Sequence, residues 1–342
     1  MVKAEQTGWT TATKPVGIYL NSAGRGITAV LSSARLTLAS LILLFIAVVL
    51  YQYLPGDMRL AVLLAPTVLL MINFIALLLV RGAFANRTAL LVFHFSLFFL
   101  VILAMLGQLT YLKGTLELGS MEEFDGRLEN VQAGIWHDYQ LGSERFTNLG
   151  FDINYHKGIK RDATLNRIRL GGDPANAPII EIGDQVPLVL GHYRFYTTHN
   201  KGYSPLFRWF PADGSPPQLG SVHLPAYPIH RYKQAREWSL PGSQQKIWTL
   251  LVIEEDVLPE NRAFNFRIPY QHHLVIRIAD QRTELRPGDE ISLEAGVLRY
   301  ETLSSWMGYK VDYDWTRPWL LATCLIAMIS LALHYMTRIR SL

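Results

Sequence analysis

The chain is predicted to be a membrane protein: four transmembrane α-helices with a large antiparallel β-rich extracytoplasmic domain between helices 3 and 4. Three observations carry this. Apolar residues are bunched into four runs, three before residue 112 and one at the C-terminus, each near the roughly 20 residues that take a helix across a bilayer. About 205 residues without such a run separate the third from the fourth. Inside that stretch, β-branched and aromatic segments alternate with Gly, Pro, Asn and Asp clusters, the punctuation of strands and turns. The mean hydropathy of +0.15 averages these two regimes and excludes a single-domain soluble enzyme.

Residues 1–35 read as a cytoplasmic N-terminal segment. The apolar run after it comes too late, is too long for a cleaved leader and lacks a small-residue cleavage pattern, so it reads as an uncleaved signal anchor. The first span, 36–54, is LTLASLILLFIAVVLYQYL, and the second, 60–80, is polar only at Thr67 and Asn73. Only LPGDMR lies near their junction, which predicts a tight helical hairpin. The third span covers 88–111. The fourth, 318–336, opens on Pro318, whose missing N–H costs nothing at a helix start. A tail, 337–342, closes the chain.

Positive charge sets the sidedness, because cytoplasmic flanks carry the excess of Lys and Arg. Lys3, Lys14, Arg25 and Arg35 precede the first span, Arg81 and Arg87 separate the second from the third, and Arg338 and Arg340 follow the fourth. All three groups belong on the cytoplasmic side, so both termini are cytoplasmic and the domain at 113–317 faces outward. In a bacterium that means a multi-pass protein of the inner (cytoplasmic) membrane with a periplasmic domain. Much of the positive excess behind the net charge of +4 is explained by these flanks, and no basic stripe interleaved with aromatics points to nucleic acid.

Within the domain, VPLVLGHYRFYTT, QKIWTLLVIEED, HHLVIRIAD and LRYETLSSWMGYKV read as strands, bounded by clusters such as LPGS and RPGDE. Their spacing favours an antiparallel sandwich or sheet stack over βαβ units. FPADGSPP, residues 210–217, reads as a flexible excursion.

The single cysteine, Cys324, excludes a disulfide framework, a CxxC redox pair, a zinc finger and a CxxCH haem attachment, and its mid-span place reads as buried. Of ten histidines, only His94 and His334 lie in spans, where imidazole is costly without a partner. His94 falls six residues, roughly 9 Å, from the cytoplasmic end of its helix; His334, four residues before Arg338, falls roughly 6 Å from the same surface. Thr323, Ala327, Ser330 and His334 recur at helical spacing as a stripe of small groups, and Phe98, Val101, Met105 and Gln108 continue the face of His94. Two readings stay open for each histidine. His94 is a haem b ligand through a neutral ring nitrogen or an interhelical hydrogen-bond donor; His334 is a second ligand or an interfacial polar residue.

The outward histidines, His137, His156, His192, His199, His223, His230, His272 and His273, form no HExxH or paired-His spacing with a carboxylate. Adjacent His272 and His273 project to opposite faces of a strand and read as structural. Glu254, Glu255 and Asp256 read as a solvated strand end. GxSxG, P-loop and GxGxxG motifs are absent, so no catalytic residue is assigned and the chain reads as a non-catalytic subunit.

Several strings, in order, resemble the ResB family of System II cytochrome c biogenesis proteins. SARLTLASLILLFIAVVLY is similar to the family's first helix, and FHFSLFFLVILAMLGQLTYLKGTLELGSMEEF to its third helix and the strand after it. GFDINYHKGIKRDATLNRIRL and LGHYRFYTTHNKGYSPLFRW resemble its β segments, and WMGYKVDYDWTRPWLLATCLIAMISLALHY its closing strand and last helix. The resemblance implies a protein that handles haem in the membrane, works with a tryptophan-rich ResC (CcsA-like) membrane partner and positions apocytochrome c for attachment at CxxCH thiols. It also implies that His94, in the place of a family ligand, binds haem b iron; His334 has no such counterpart. The chain is short for the family, and Asp314-Trp315-Thr316-Arg317-Pro318 stands where Asp-Pro-Gly is usual. These departures keep a second reading in view: a ResB-like membrane subunit of a respiratory or multihaem electron-transfer complex, binding haem b between His94 and His334 or serving as an anchor. A receptor domain on a membrane stem is a third, which three spans before the domain disfavour.

Overall fold

The computed structural model describes residues 29–79, 87–171, 177–240 and 245–339. Lys3, Lys14, Arg25, Arg81 and Arg340, part of the sidedness argument, and residues 241–243 of the LPGS turn lie outside the described residues. The chain divides into two compact units, one of Met1–Met105 with Thr316–Leu342 and one of Leu106–Trp315.

Four helices, α1 (Ala34–Tyr51), α2 (Gly56–Leu79), α3 (Thr88–Thr110) and α4 (Arg317–Ile339), are long and apolar enough to cross a membrane. α1 starts two residues before its apolar run because Ser33 caps it, its hydroxyl accepting from Leu36 N at 3.2 Å. It stops at Tyr51, short of Pro55, since the residue before a proline is pushed out of helical geometry. The link to α2 is then closed locally: Arg59 Nε donates to Leu54 O at 2.8 Å, and its guanidinium lies 5.5 Å from the Tyr51 ring.

The two polar residues inside the apolar run of α2, Thr67 and Asn73, are both buried and both used. Asn73 Nδ2 donates to Leu31 O at 2.5 Å while its Oδ1 accepts from Thr37 at 2.7 Å, stitching α2 to the start of α1. Thr67 donates back to Leu63 O at 2.7 Å and also touches Met105 Sδ of α3. Further along α2, Phe74 stacks on Phe98 of α3 with ring centroids 5.0 Å apart. On α4, Ala327 and Ser330 are the buried positions, with Thr323 and His334 half-buried on the same stripe. Cys324 is exposed among the described residues, contrary to the expectation that it is buried: it lies one position off the small-residue stripe.

The strands, in chain order, are β1 (Leu112–Gly119), β2 (Glu129–Ala133), β3 (Phe146–His156), β4 (Lys160–Leu170), β5 (Ile179–Gly183), β6 (Leu188–Leu190), β7 (Tyr193–Pro211), β8 (Gln218–Ser221), β9 (Ala235–Ser239), β10 (Lys246–Ile253), β11 (Phe264–Asn265), β12 (His272–Ile278), β13 (Gln281–Leu285), β14 (Glu290–Leu293) and β15 (Gly296–Tyr313). They form an antiparallel, β-rich unit of three sheets. The largest runs β2-β1-β15-β7-β6, with β14 beside β15 and β8 beside β7; the others run β13-β12-β10-β9 and β11-β3-β4-β5.

β7 and β15, paired from Pro211↔Gly296 to Tyr193↔Tyr313, are the spine. One half contributes Tyr193, Phe195, Met307, Tyr309 and Val311 to a core against β3, β4 and β5. The other half contributes Tyr203, Phe207, Leu298, Tyr300 and Leu303 to a second core against β10 and β12. Each fully buried apolar side chain of this size is worth about 1.5–3 kcal/mol, and the first core adds an aromatic triangle of Phe124, Phe146 and Phe195 with centroids 5.2–5.6 Å apart. Within FPADGSPP, Phe210 and Pro211 end β7 and the chain then turns to β8: Ser215 N donates to Asp213 Oδ1 at 2.8 Å, and Gly214 takes φ +80°.

Candidate functional site

His94 lies on the first half of α3, half-buried. Its Nδ1 is 2.8 Å from Leu90 O one turn back. A carbonyl can only accept, so Nδ1 carries the proton and Nε2 the lone pair, the arrangement by which metal-binding imidazoles are oriented. The donor chemistry therefore fits a haem iron. The face that continues from His94 packs on α2, through Phe98 against Phe74 and Met105 against Thr67. His334 sits edge-on to Tyr335, 5.5 Å between centroids. Among the described residues, no group of three His, Cys, Asp or Glu is placed to hold a metal ion.

In the β unit the most organised polar group lies where β1, β8 and β9 come together. His223 Nδ1 is 3.2 Å from Glu117 Oε2, and its Nε2 is 3.3 Å from Ser221 Oγ. The carboxylate fixes the tautomer, so in the neutral ring Nε2 accepts the Ser221 proton. The His223 ring lies parallel to Trp306, 5.1 Å between centroids. Hydrogen bonding from His223 holds the Glu117 carboxyl below its ordinary range despite its burial, helped by Arg236 and Asn200. Arg236 Nη1 is spent on His223 O at 2.7 Å. The group lines a cavity of about 380 Å³ walled by Phe207, Trp209, Trp238 and Leu298. It ties three strands together and offers a ligand one imidazole–carboxylate pair beside aromatic walls. Sequence reading missed it: Ser-x-His places both side chains on one strand face, but Glu117 stands 106 positions away.

The remaining histidines serve the scaffold where the structure gives them partners. His272 is buried between Pro269 O and Tyr300 OH, at 2.9 and 2.8 Å, while neighbouring His273 turns to Glu254 at 2.6 Å. Glu255 is more committed than a solvated strand end: it takes Arg267 at 3.1 and 2.5 Å, Gln271 N at 3.1 Å and Tyr270 N. Its hydrogen bonds from Arg267, stronger than the opposing burial, bring its pKa down to about 2. A depressed carboxyl stabilises the fold fully above its unfolded value, roughly 4.3, and the contribution is lost as pH falls through about 2. Glu255→Gln should therefore lower the melting temperature at pH 7, and the gap from wild type should close on acidification towards pH 2. A gap that stays constant across a pH series would remove the ionised pair as its cause.

Burial also brings Lys201 down to about 8; its ammonium donates to Thr198 O at 2.9 Å. No family model matches the chain, and no curated protein matches it.

Proposed function

We propose that the protein is a ResB-like component of a cytochrome c maturation complex in the cytoplasmic membrane of a bacterium, with its β domain on the periplasmic side. The observation that carries the reading is the order of the elements: three helices apolar enough to span, an antiparallel domain from Leu112 to Tyr313, and a fourth such helix. That is the layout the family resemblance implies. His94 supports it locally, since its proton is drawn to Leu90 O and its Nε2 lone pair is the one an iron takes. Haem b in this reading is cargo, held in the membrane by His94 and passed with a ResC/CcsA-like partner to apocytochrome c. The lone Cys324 cannot supply the thiol pair, so the thiols that receive haem are the client's.

Deleting the gene should abolish covalent c-type haem and leave b-type haem intact, and the purified protein should show a low-spin b-type spectrum that His94→Ala removes and His334→Ala keeps. Normal c-type cytochromes in a deletion strain without a second homologue would end the maturation reading. Loss of the spectrum in both variants, with redox subunits co-purifying, would replace it by the respiratory-complex reading.

A further inference from the structure

We propose that the segment Gly134–Tyr139 is a membrane-interface anchor, placing Ile135, Trp136 and Tyr139 among the lipid headgroups at the outer end of α3; this rests on reading α3 as a membrane span. A helix end leaves carbonyls without intrahelical partners, and the hydrocarbon core just below a headgroup layer supplies no donors. Here the segment supplies them. Trp136 N donates to Leu109 O, Gly134 N to Tyr111 O, and the His137 ring, through Nδ1, to Thr110 O, each at 2.8 Å. The opposite ring nitrogen of His137 then accepts from Tyr193 OH at 3.1 Å, and Trp315 Nε1 holds the Thr110 hydroxyl at 2.9 Å.

Only glycine permits this approach at residue 134, because a Cβ there would fall 2.2 Å from Leu109 O. The backbone is thus locked to the last turn of α3, while the large side chains are left outside: Ile135 is 71 % exposed, Trp136 62 % and Tyr139 64 %. Three such residues within five positions, on a segment whose backbone is tied down at Gly134, Trp136 and His137, make a patch that seeks an apolar partner. On α3 itself, Leu97 and Phe99 are exposed apolar side chains. Tryptophan and tyrosine, with an apolar body and a polar tip, are the residues the membrane interface favours. A bilayer is the occupant that fits both the composition and the place.

The test uses the full chain with Cys324→Ser, reconstituted in vesicles of phosphatidylcholine and phosphatidylglycerol, with a nitroxide on a single introduced cysteine: Trp136→Cys, Phe99→Cys or Leu165→Cys. Collision with oxygen should exceed collision with a soluble nickel complex at 99 and at 136, and the order should reverse at 165, an exposed position on β4. A nickel-dominated signal at 136, with 99 still oxygen-dominated, would overturn the anchor and leave the span reading intact. Exclusion of both reagents at 136 would show a protein partner in the lipid's place, and would also overturn it. A nickel-dominated signal at 99 would defeat the span reading itself. Adding Gly134→Ala should move the label at 136 towards the aqueous reagent, and an unchanged signal would show that the clamp on Leu109 does not set the depth.

Discussion

Gly296→Ala should destabilise the β domain by about 3 kcal/mol or more, combining a strained backbone with overpacking. Gly296 takes φ +148°, and a Cβ there would meet Phe210 O at 2.2 Å and Trp209 Cη2 at 2.9 Å. Neither neighbour can easily give way. Phe210 sits in the ladder between β7 and β15, Trp209 is buried in the second core, and Ala212 N is held by Ala295 O at 2.8 Å. Gly296 is also where β15 pairs with β14 and β7 together, through Leu293 and Pro211. A urea titration of the detergent-solubilised chain, followed by near-ultraviolet circular dichroism, measures the loss. A midpoint equal to wild type would show that the strand end rotates to admit the methyl group.

Asn148→Ala should cost a similar amount, about 3 kcal/mol or more, because several buried groups lose partners worth about 1–3 kcal/mol each. Asn148 is fully buried in a β-bulge of β3. Its amide donates to Leu118 O and Gly119 O at 3.0 and 3.1 Å, and its carbonyl accepts from Gly150 N and Asn166 Nδ2 at 3.0 and 2.8 Å. Asn166 in turn accepts from Tyr309 OH at 2.7 Å, which carries the network to the spine. Burial drives the Tyr309 phenol pKa well above its ordinary value, so it remains a donor at any working pH. Tyr309→Phe removes a single hydrogen bond and strands one buried acceptor, Asn166 Oδ1, so it should cost less than Asn148→Ala, about 1–3 kcal/mol. Amide hydrogen exchange at Gly150 gives an independent readout: protection should collapse in Asn148→Ala and persist in Tyr309→Phe. Equal losses of stability in the two variants would contradict this account of the network.

The helices were legible because each depends only on its own composition and on local breakers such as Ser33 and Pro55. The strand segments rich in β-branched and aromatic residues were legible for the same reason. What could not be read was set by distant partners. β7 runs on through Gly202 and Pro205, which look like a turn in isolation; pairing with β15 keeps the strand extended, and the register shifts nearby absorb the irregularity. Cys324 was placed inside on hydropathy alone, which cannot distinguish a helix face against protein from one turned outward. The network of Asn148, Asn166 and Tyr309 and the relay of Glu117, His223 and Ser221 join residues as much as 143 positions apart, and no local pattern announces them. His94 stood out because imidazole is rare in such a helix, but the carbonyl that orients its ring belongs to the backbone and leaves no mark in the side-chain sequence.

The β unit begins and ends on a single rung of one ladder, Leu112 opposite Tyr313, where paired residues stand about 4.5–5.5 Å apart. Topologically the domain is a closed insertion: the chain detours through two hydrophobic cores and returns beside its point of departure. Such a unit can be excised with both cut ends already adjacent, or joined end to end by a very short linker and reopened elsewhere, as circular permutation requires. The pairing of β1 with β15, rather than any feature of the flanking helices, is the seam along which the protein can be taken apart.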